Sequence, residues 1–110
     1  MTKTSLVAVA RHQLEHARGA SSGRSATSVY GGHERVLRQT VIALRAGERM
    51  EEHENPGEST IYVMQGRVTL IAGGVEWCGI AGDLLVMPEV RHAVAADDDS
   101  VLLLTVAKTG

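Results

Sequence analysis

The chain has 110 residues and a mass of 11.7 kDa, which is the size of a single domain. The net charge is -2, from 11 Lys and Arg against 13 Asp and Glu, so we expect neither a nucleic-acid nor a membrane partner. Cys78 is the only cysteine, which excludes an intramolecular disulfide and favours a reducing, cytoplasmic setting. We expect its thiol to pack as a small apolar group. The chain has no Phe, so its core must be aliphatic, and β-branched residues favour strands.

The first segment has the pattern of an amphipathic helix, which we place within residues 1–20. Its apolar side chains recur at helical spacing, Ser5 or Thr4 is a suitable N-cap, and Gly19 can end it. We interpret residues 21–26 as a linker because they are rich in Gly and Ser. The apolar run at 6–10 is too short for a signal peptide or a membrane span.

Two histidines of this helix, His12 and His16, are one turn apart, a spacing that can bind a metal ion. No third ligand type is in view, and the surrounding helix carries mixed charges. We therefore interpret the pair as part of a solvated face.

Residues 27–110 consist of short β-type runs separated by turn signals. No helical pattern lies between the runs, which excludes the crossover connections of a parallel sheet. The pattern predicts an antiparallel all-β sandwich or barrel. The predicted strands are 36–44, 60–64, 67–71, 75–78, 84–87, 92–95 and 101–106.

Two spaced motifs are similar to those of the cupin superfamily. Gly47, His53 and Gly66 fit the first motif, and Gly82 and Pro88 fit the second. His92 falls one residue short of the second motif's histidine position. The resemblance covers about residues 36–106 and implies an antiparallel double-stranded β-helix, or jelly-roll barrel, preceded here by a short α-helix.

The resemblance also implies where a metal would bind, with His53 and His92 as its ligands. The family's second histidine is Asn55 here, and its glutamate is Ser59. Neutral amide and hydroxyl oxygens are weak ligands, so we expect a degenerate site with no metal or a weakly held divalent one. Asn55 also belongs to an Asn-Pro-Gly turn signal, and we favour that role.

A small-molecule pocket is expected in the barrel. The resemblance implies that the strand face shared with Ser59 looks inward, so Ile61 and Val63 would form the pocket wall and Tyr62, which alternates with them, would point outward. Arg91 could bind a carboxylate or phosphate at the mouth. The predicted pocket residues are His53, Asn55, Ser59, Ile61, Val63, Arg91 and His92.

The favoured function is a small-molecule-binding or sensing domain, because an apolar cavity with few polar groups suits small ligands. One alternative is a metal-dependent enzyme, an oxygenase or isomerase, that uses His53 and His92. Another is a protein-interaction or regulatory module. The sequence assigns no catalytic residue. A homodimer is expected from the resemblance and from strands that are apolar on both faces.

Overall fold

The structure is a computed structural model that describes residues 2–52 and 57–108. Within them, one helix precedes nine strands. The elements are α1 (Leu6–Gly19), β1 (Arg24–Tyr30), β2 (Leu37–Leu44), β3 (Arg49–Glu52), β4 (Gly57–Gln65), β5 (Arg67–Ala72), β6 (Val75–Ile80), β7 (Leu84–Val86), β8 (His92–Ala96) and β9 (Ser100–Lys108).

The strands form two sheets of antiparallel neighbours. The larger sheet has the order β1-β2-β9-β4-β7, and the smaller has the order β3-β8-β5-β6. Chain neighbours such as β8 and β9 lie in different sheets, so the chain passes repeatedly from one layer to the other. The architecture is the antiparallel jelly roll with a short N-terminal helix that the sequence predicted.

The space between the sheets is filled by aliphatic side chains. Along β4, Ile61 and Val63 are buried while Tyr62 between them is 42% exposed, because successive side chains of a strand point to opposite faces. Phe is absent, and branched aliphatic residues fill the volume instead. The interior cluster consists of Ile42, Leu44, Ile61, Val63, Val68, Leu70, Met87, Val94, Ala96 and Leu102.

Helix α1 covers part of the outer face of the larger sheet. The Ser5 side chain caps it by accepting from the Ala8 N–H at 3.3 Å. Ala10, Leu14 and Ala17 are buried against the outer side chains of β2 and β9. Among the described residues, no helix is long and apolar enough to cross a membrane.

The predicted linker at residues 21–26 overlaps β1, which begins at Arg24. Gly23 adopts a φ of 67°, which allows the sharp turn out of the helix, and its carbonyl accepts from the Arg45 N–H at 2.8 Å. Ser25 and Ala26 of the predicted linker belong to this edge strand, which pairs with β2, whereas Ser21, Ser22 and Gly23 form the turn before it. Strand β3 is also absent from the predicted strands, because its four residues, Arg49–Glu52, are mostly charged.

Candidate functional site

The interior of the fold changes from aliphatic to polar at one end. On the larger sheet, Val106 of β9 lies between Ser59 of β4 and Arg38 of β2 and pairs with both. This row of three residues is two positions along the strands from the row that contains Ile61. On the smaller sheet His92 begins β8, two residues before the core residue Val94. Because the Met87 N–H donates to the Ser59 carbonyl at 3.0 Å, the segment that leads to His92 starts beside Ser59. We call Arg38, Ser59 and His92 the polar end.

His92 is buried, with only 6% of its surface exposed. Its Nδ1 lies 3.0 Å from the carbonyl oxygen of Val90. A carbonyl can only accept, so Nδ1 carries the proton and, in the neutral ring, Nε2 is an acceptor. This arrangement fixes the ring and its tautomer, as a ligand-binding histidine requires.

Ser59 is also buried, at 9% exposure, and it faces the interior in phase with Ile61. Its hydroxyl can donate one hydrogen bond and accept others, and it carries no charge. The polar end therefore has a neutral hydroxyl where the family resemblance places a carboxylate.

Arg38 is a site residue that lies outside both sequence motifs. The neighbouring Gln39 side chain donates to the Thr105 Oγ1 at 3.3 Å on the outer face of the sheet, so Arg38 points to the inner face. It is partly buried. No ion pair joins Arg38 to another residue in the described ranges. Arg38 and Thr40 share a strand face with buried Ile42, because every second residue of a strand points to the same side. This spacing is the signal that could have identified Arg38.

Ile61 and Val63 face the interior as predicted, but they belong to the filled aliphatic core, with exposures of 1% and 0%. They are the floor beneath the polar end rather than the walls of an open pocket. Arg91 is exposed and precedes the inward-facing His92. The predicted site residues His53 and Asn55 lie outside the described residues.

The described donors of the polar end do not fit a tightly held divalent metal. His92 offers one well-anchored imidazole, but Ser59 offers only a neutral oxygen, and Arg38 brings a positive charge to the same end. Across residues 2–52 and 57–108, no group of three or more His, Cys, Asp or Glu side chains is arranged to hold an ion.

Cys78 is exposed, so the prediction that it packs as an apolar residue is wrong. Its strand, β6, is an edge of the smaller sheet, and five of its six residues, all but Gly79, are exposed. The Cys78 thiol lies beside the guanidinium of Arg67 and, by hydrogen bonding to it, raises the pKa of Arg67 above its ordinary value. This cluster is on the outer surface, away from the polar end.

The fold has many similar solved structures. A conserved protein of unknown function from Streptococcus pyogenes is 22% identical, with a TM-score of 0.73, over 83% of this chain and 79% of that one. A cupin superfamily protein from Desulfitobacterium hafniense is 17% identical, with a TM-score of 0.70, over 78% of each chain. Salicylate 1,2-dioxygenase from Pseudoaminobacter salicylatoxidans is 19% identical, with a TM-score of 0.74, over 93% of this chain but only 31% of that one.

These likenesses concern the fold, and no curated protein matches the chain. The family comparison is more specific, since the model of the cupin domain matches residues 40–107. That range runs from β2 to β9 and includes Ser59 and His92. The chain therefore belongs to the cupin family.

Proposed function

We propose that this cupin domain binds a small molecule carrying a carboxylate at the polar end, as a binding or sensing domain. The observation that carries the proposal is Arg38, an inward-facing and partly buried guanidinium without an ion-pair partner in the described chain. Isolated charges are costly to withdraw from water unless something pairs with them. A carboxylate is the group whose two oxygens match the guanidinium fork.

The other two residues of the polar end supply complementary hydrogen bonding. The Nε2 of neutral His92 accepts, so it suits a hydroxyl or a bound water. The Ser59 hydroxyl can donate or accept. A hydroxyl-bearing or water-bridged carboxylate would satisfy all three residues at once.

The dimensions of the fold limit the ligand to a small one. Arg38 and Ser59 are two strands apart across Val106, which is about 10 Å at the usual strand spacing. The facing sheet that carries His92 lies about 10 Å away, as packed sheets do. The filled core beneath, with Ile61 at 1% exposure, stops a longer molecule from entering the fold.

Binding without catalysis is favoured over a metal-dependent reaction because of the donor chemistry. The described polar end combines a cation, a hydroxyl and an imidazole, and it supplies no carboxylate ligand. The similarity to salicylate 1,2-dioxygenase, at 19% identity, supports a common fold and not a common reaction. Structural neighbours that are transcriptional regulators, such as one from Vibrio cholerae at 14% identity, show that the same fold occurs in regulatory proteins.

Calorimetric titration tests the proposal with a fixed panel of carboxylates: acetate, lactate, succinate, citrate and benzoate. We expect at least one to bind the wild-type chain and to bind Arg38→Gln at least tenfold more weakly, since a charge-assisted pair is worth about 1.5–3 kcal/mol. The control is Arg35→Gln, which changes an exposed arginine near the start of the same strand. Absence of binding by every member of the panel, or equal loss in both variants, would refute the proposal.

Elemental analysis of protein purified without chelator separates this function from the metal-dependent alternative. We expect no stoichiometric transition metal that depends on His92. Near-stoichiometric iron, manganese, nickel or zinc that is lost in His92→Gln would instead support the enzyme.

A further inference from the structure

The exposed face of α1 carries a pair of imidazoles that the polar end does not involve. His12 and His16 are both exposed, and their ring centroids are 4.9 Å apart with the planes inclined at 38°. We propose that they form a two-imidazole chelate for a late first-row divalent metal, with Cu²⁺ bound most tightly.

The separation of the rings suits one shared ion. A metal lies about 2.1 Å from a ligating imidazole nitrogen, which puts it about 3.2 Å from the ring centroid. Two centroids 4.9 Å apart then subtend about 100° at the ion, between the angles of square-planar and tetrahedral coordination. Since both rings are exposed, rotation about χ2 can aim one nitrogen of each at the same point without disturbing the core.

Helix α1 keeps His12 and His16 close together in the metal-free chain. Leu14, between the two histidines, is 4% exposed and anchors the opposite face of α1 to the sheet. At the end of the helix Arg18 forms an ion pair with Asp99 at 2.8 Å. A fixed helix keeps the i and i+4 side chains adjacent, which lowers the entropic cost of chelation.

The chemistry of the donors selects the metal class. Neutral imidazoles favour copper, nickel and zinc over magnesium and calcium, which prefer oxygen ligands. Cu²⁺ is expected to bind most tightly because of its place in the general order of divalent affinities. Two protein ligands leave the remaining coordination positions to water.

The test is a titration of the untagged full chain with Cu²⁺, followed by calorimetry and electron paramagnetic resonance. We expect the spectrum of the first equivalent to show two imidazole nitrogens. His12→Gln and His16→Gln should each leave one and weaken the affinity at least tenfold, because the second ligand of a chelate acts at a high effective concentration. Both substitutions are at exposed positions, and circular dichroism confirms that the helix is retained.

Two controls locate the ion. His33→Gln removes an exposed histidine outside the helix, and His92→Gln removes the histidine of the polar end. Neither should change the binding of the first equivalent. Undiminished binding in the double variant of His12 and His16, or loss of binding in His92→Gln alone, would overturn the proposal.

Discussion

The Nε of Arg18, in the last turn of α1, donates to Oδ2 of Asp99 at a distance of 2.8 Å. The other carboxylate oxygen of Asp99 accepts from the Ala46 N–H, also at 2.8 Å. One side chain between β8 and β9 thus joins the helix to the turn that follows β2. The two hydrogen bonds lower the pKa of Asp99 below its ordinary value of 3.8, and the bond from Ala46 has a larger effect than the bond from Arg18.

A lowered pKa makes the contribution of Asp99 to stability dependent on pH. The ionised form is favoured in the folded state, so its contribution is complete well above pH 3.8 and disappears as the pH falls through the folded-state pKa. Asp99→Asn keeps an oxygen for the Ala46 N–H but removes the charge. We expect it to lower the free energy of unfolding at pH 7 by about 1 kcal/mol or less, since Arg18 is largely exposed.

Urea unfolding at neutral and acidic pH measures this effect. The difference between the wild-type chain and Asp99→Asn should shrink as the pH is lowered through the acidic range. Asp98→Asn, which changes the exposed neighbouring carboxylate, should show little difference at either pH. A difference that is constant with pH would argue against the charge as its cause.

The attachment of α1 depends on the burial of Leu14, which is 4% exposed. Leu14→Ala removes a buried side chain from the layer between helix and sheet. It should lower the free energy of unfolding by about 2–5 kcal/mol. Val7→Ala is the matched control, because Val7 is on the same helix but 69% exposed, and its effect should be within about 0.5 kcal/mol. Equal effects in thermal unfolding would show that the helix is not packed as described.

Gly66 combines a positive φ with close packing. Gly66 and Gly47 both have a φ of 90°, but a Cβ at Gly66 would collide with the backbone of Asp99 and Ser100, whereas a Cβ at Gly47 would meet open space. Gly47→Ala should therefore cost about 1–2 kcal/mol from the backbone alone. Gly66→Ala should cost about 1–3 kcal/mol more. Denaturant unfolding compares the two, and equal losses would exclude the steric contribution.

A homodimer stays a prediction, and the structure suggests which face would form it. Tyr62, Leu84 and Val86 lie together on the outer face of the larger sheet, with exposures of 42%, 62% and 73%. Their exposed area, on the order of 300 Å², is that of an interaction patch. The adjoining outward positions Thr60 and Thr105 are uncharged, while Glu58 and Glu89 lie at one margin of the patch.

Sedimentation tests this face. We expect a dimer for the wild-type chain and a shift to monomer in Leu84→Glu, because the substitution would bury a charge at the interface. Ile80→Glu places the same charge at a similarly exposed position of the smaller sheet and should leave the dimer intact. A monomeric wild-type chain would contradict the prediction.

Much of the fold follows from local patterns in the sequence. Alternation and turn residues predict the central strands, and the spacing of Leu14 with the other apolar residues predicts α1. Strands β1 and β3 were missed because each is defined mainly by its backbone pairing with one neighbour, β1 with β2 and β3 with β8. Short polar edge strands have little local pattern of their own.

The candidate site was less predictable than the fold. The motif spacing pointed to Ser59 and His92, which both lie at the polar end. Arg38 was missed because a charged residue at the start of a strand is usually solvated, although its position in phase with Ile42 and its pairing with Val106 place it on the inner face. The bond from His92 to Val90 depends on the path of the loop before β8, which no pattern in the sequence describes.

The most direct test of carboxylate binding at the polar end is nuclear magnetic resonance of the side-chain nitrogens during addition of the five-member carboxylate panel. The free chain should show His92 protonated at Nδ1. A binding carboxylate should shift the Arg38 Nε resonance and the His92 Nε2 resonance together, while the Arg35 Nε resonance stays in place. Shifts confined to α1 or the outer sheet face, or no shift at Arg38 with any member of the panel, would contradict the account.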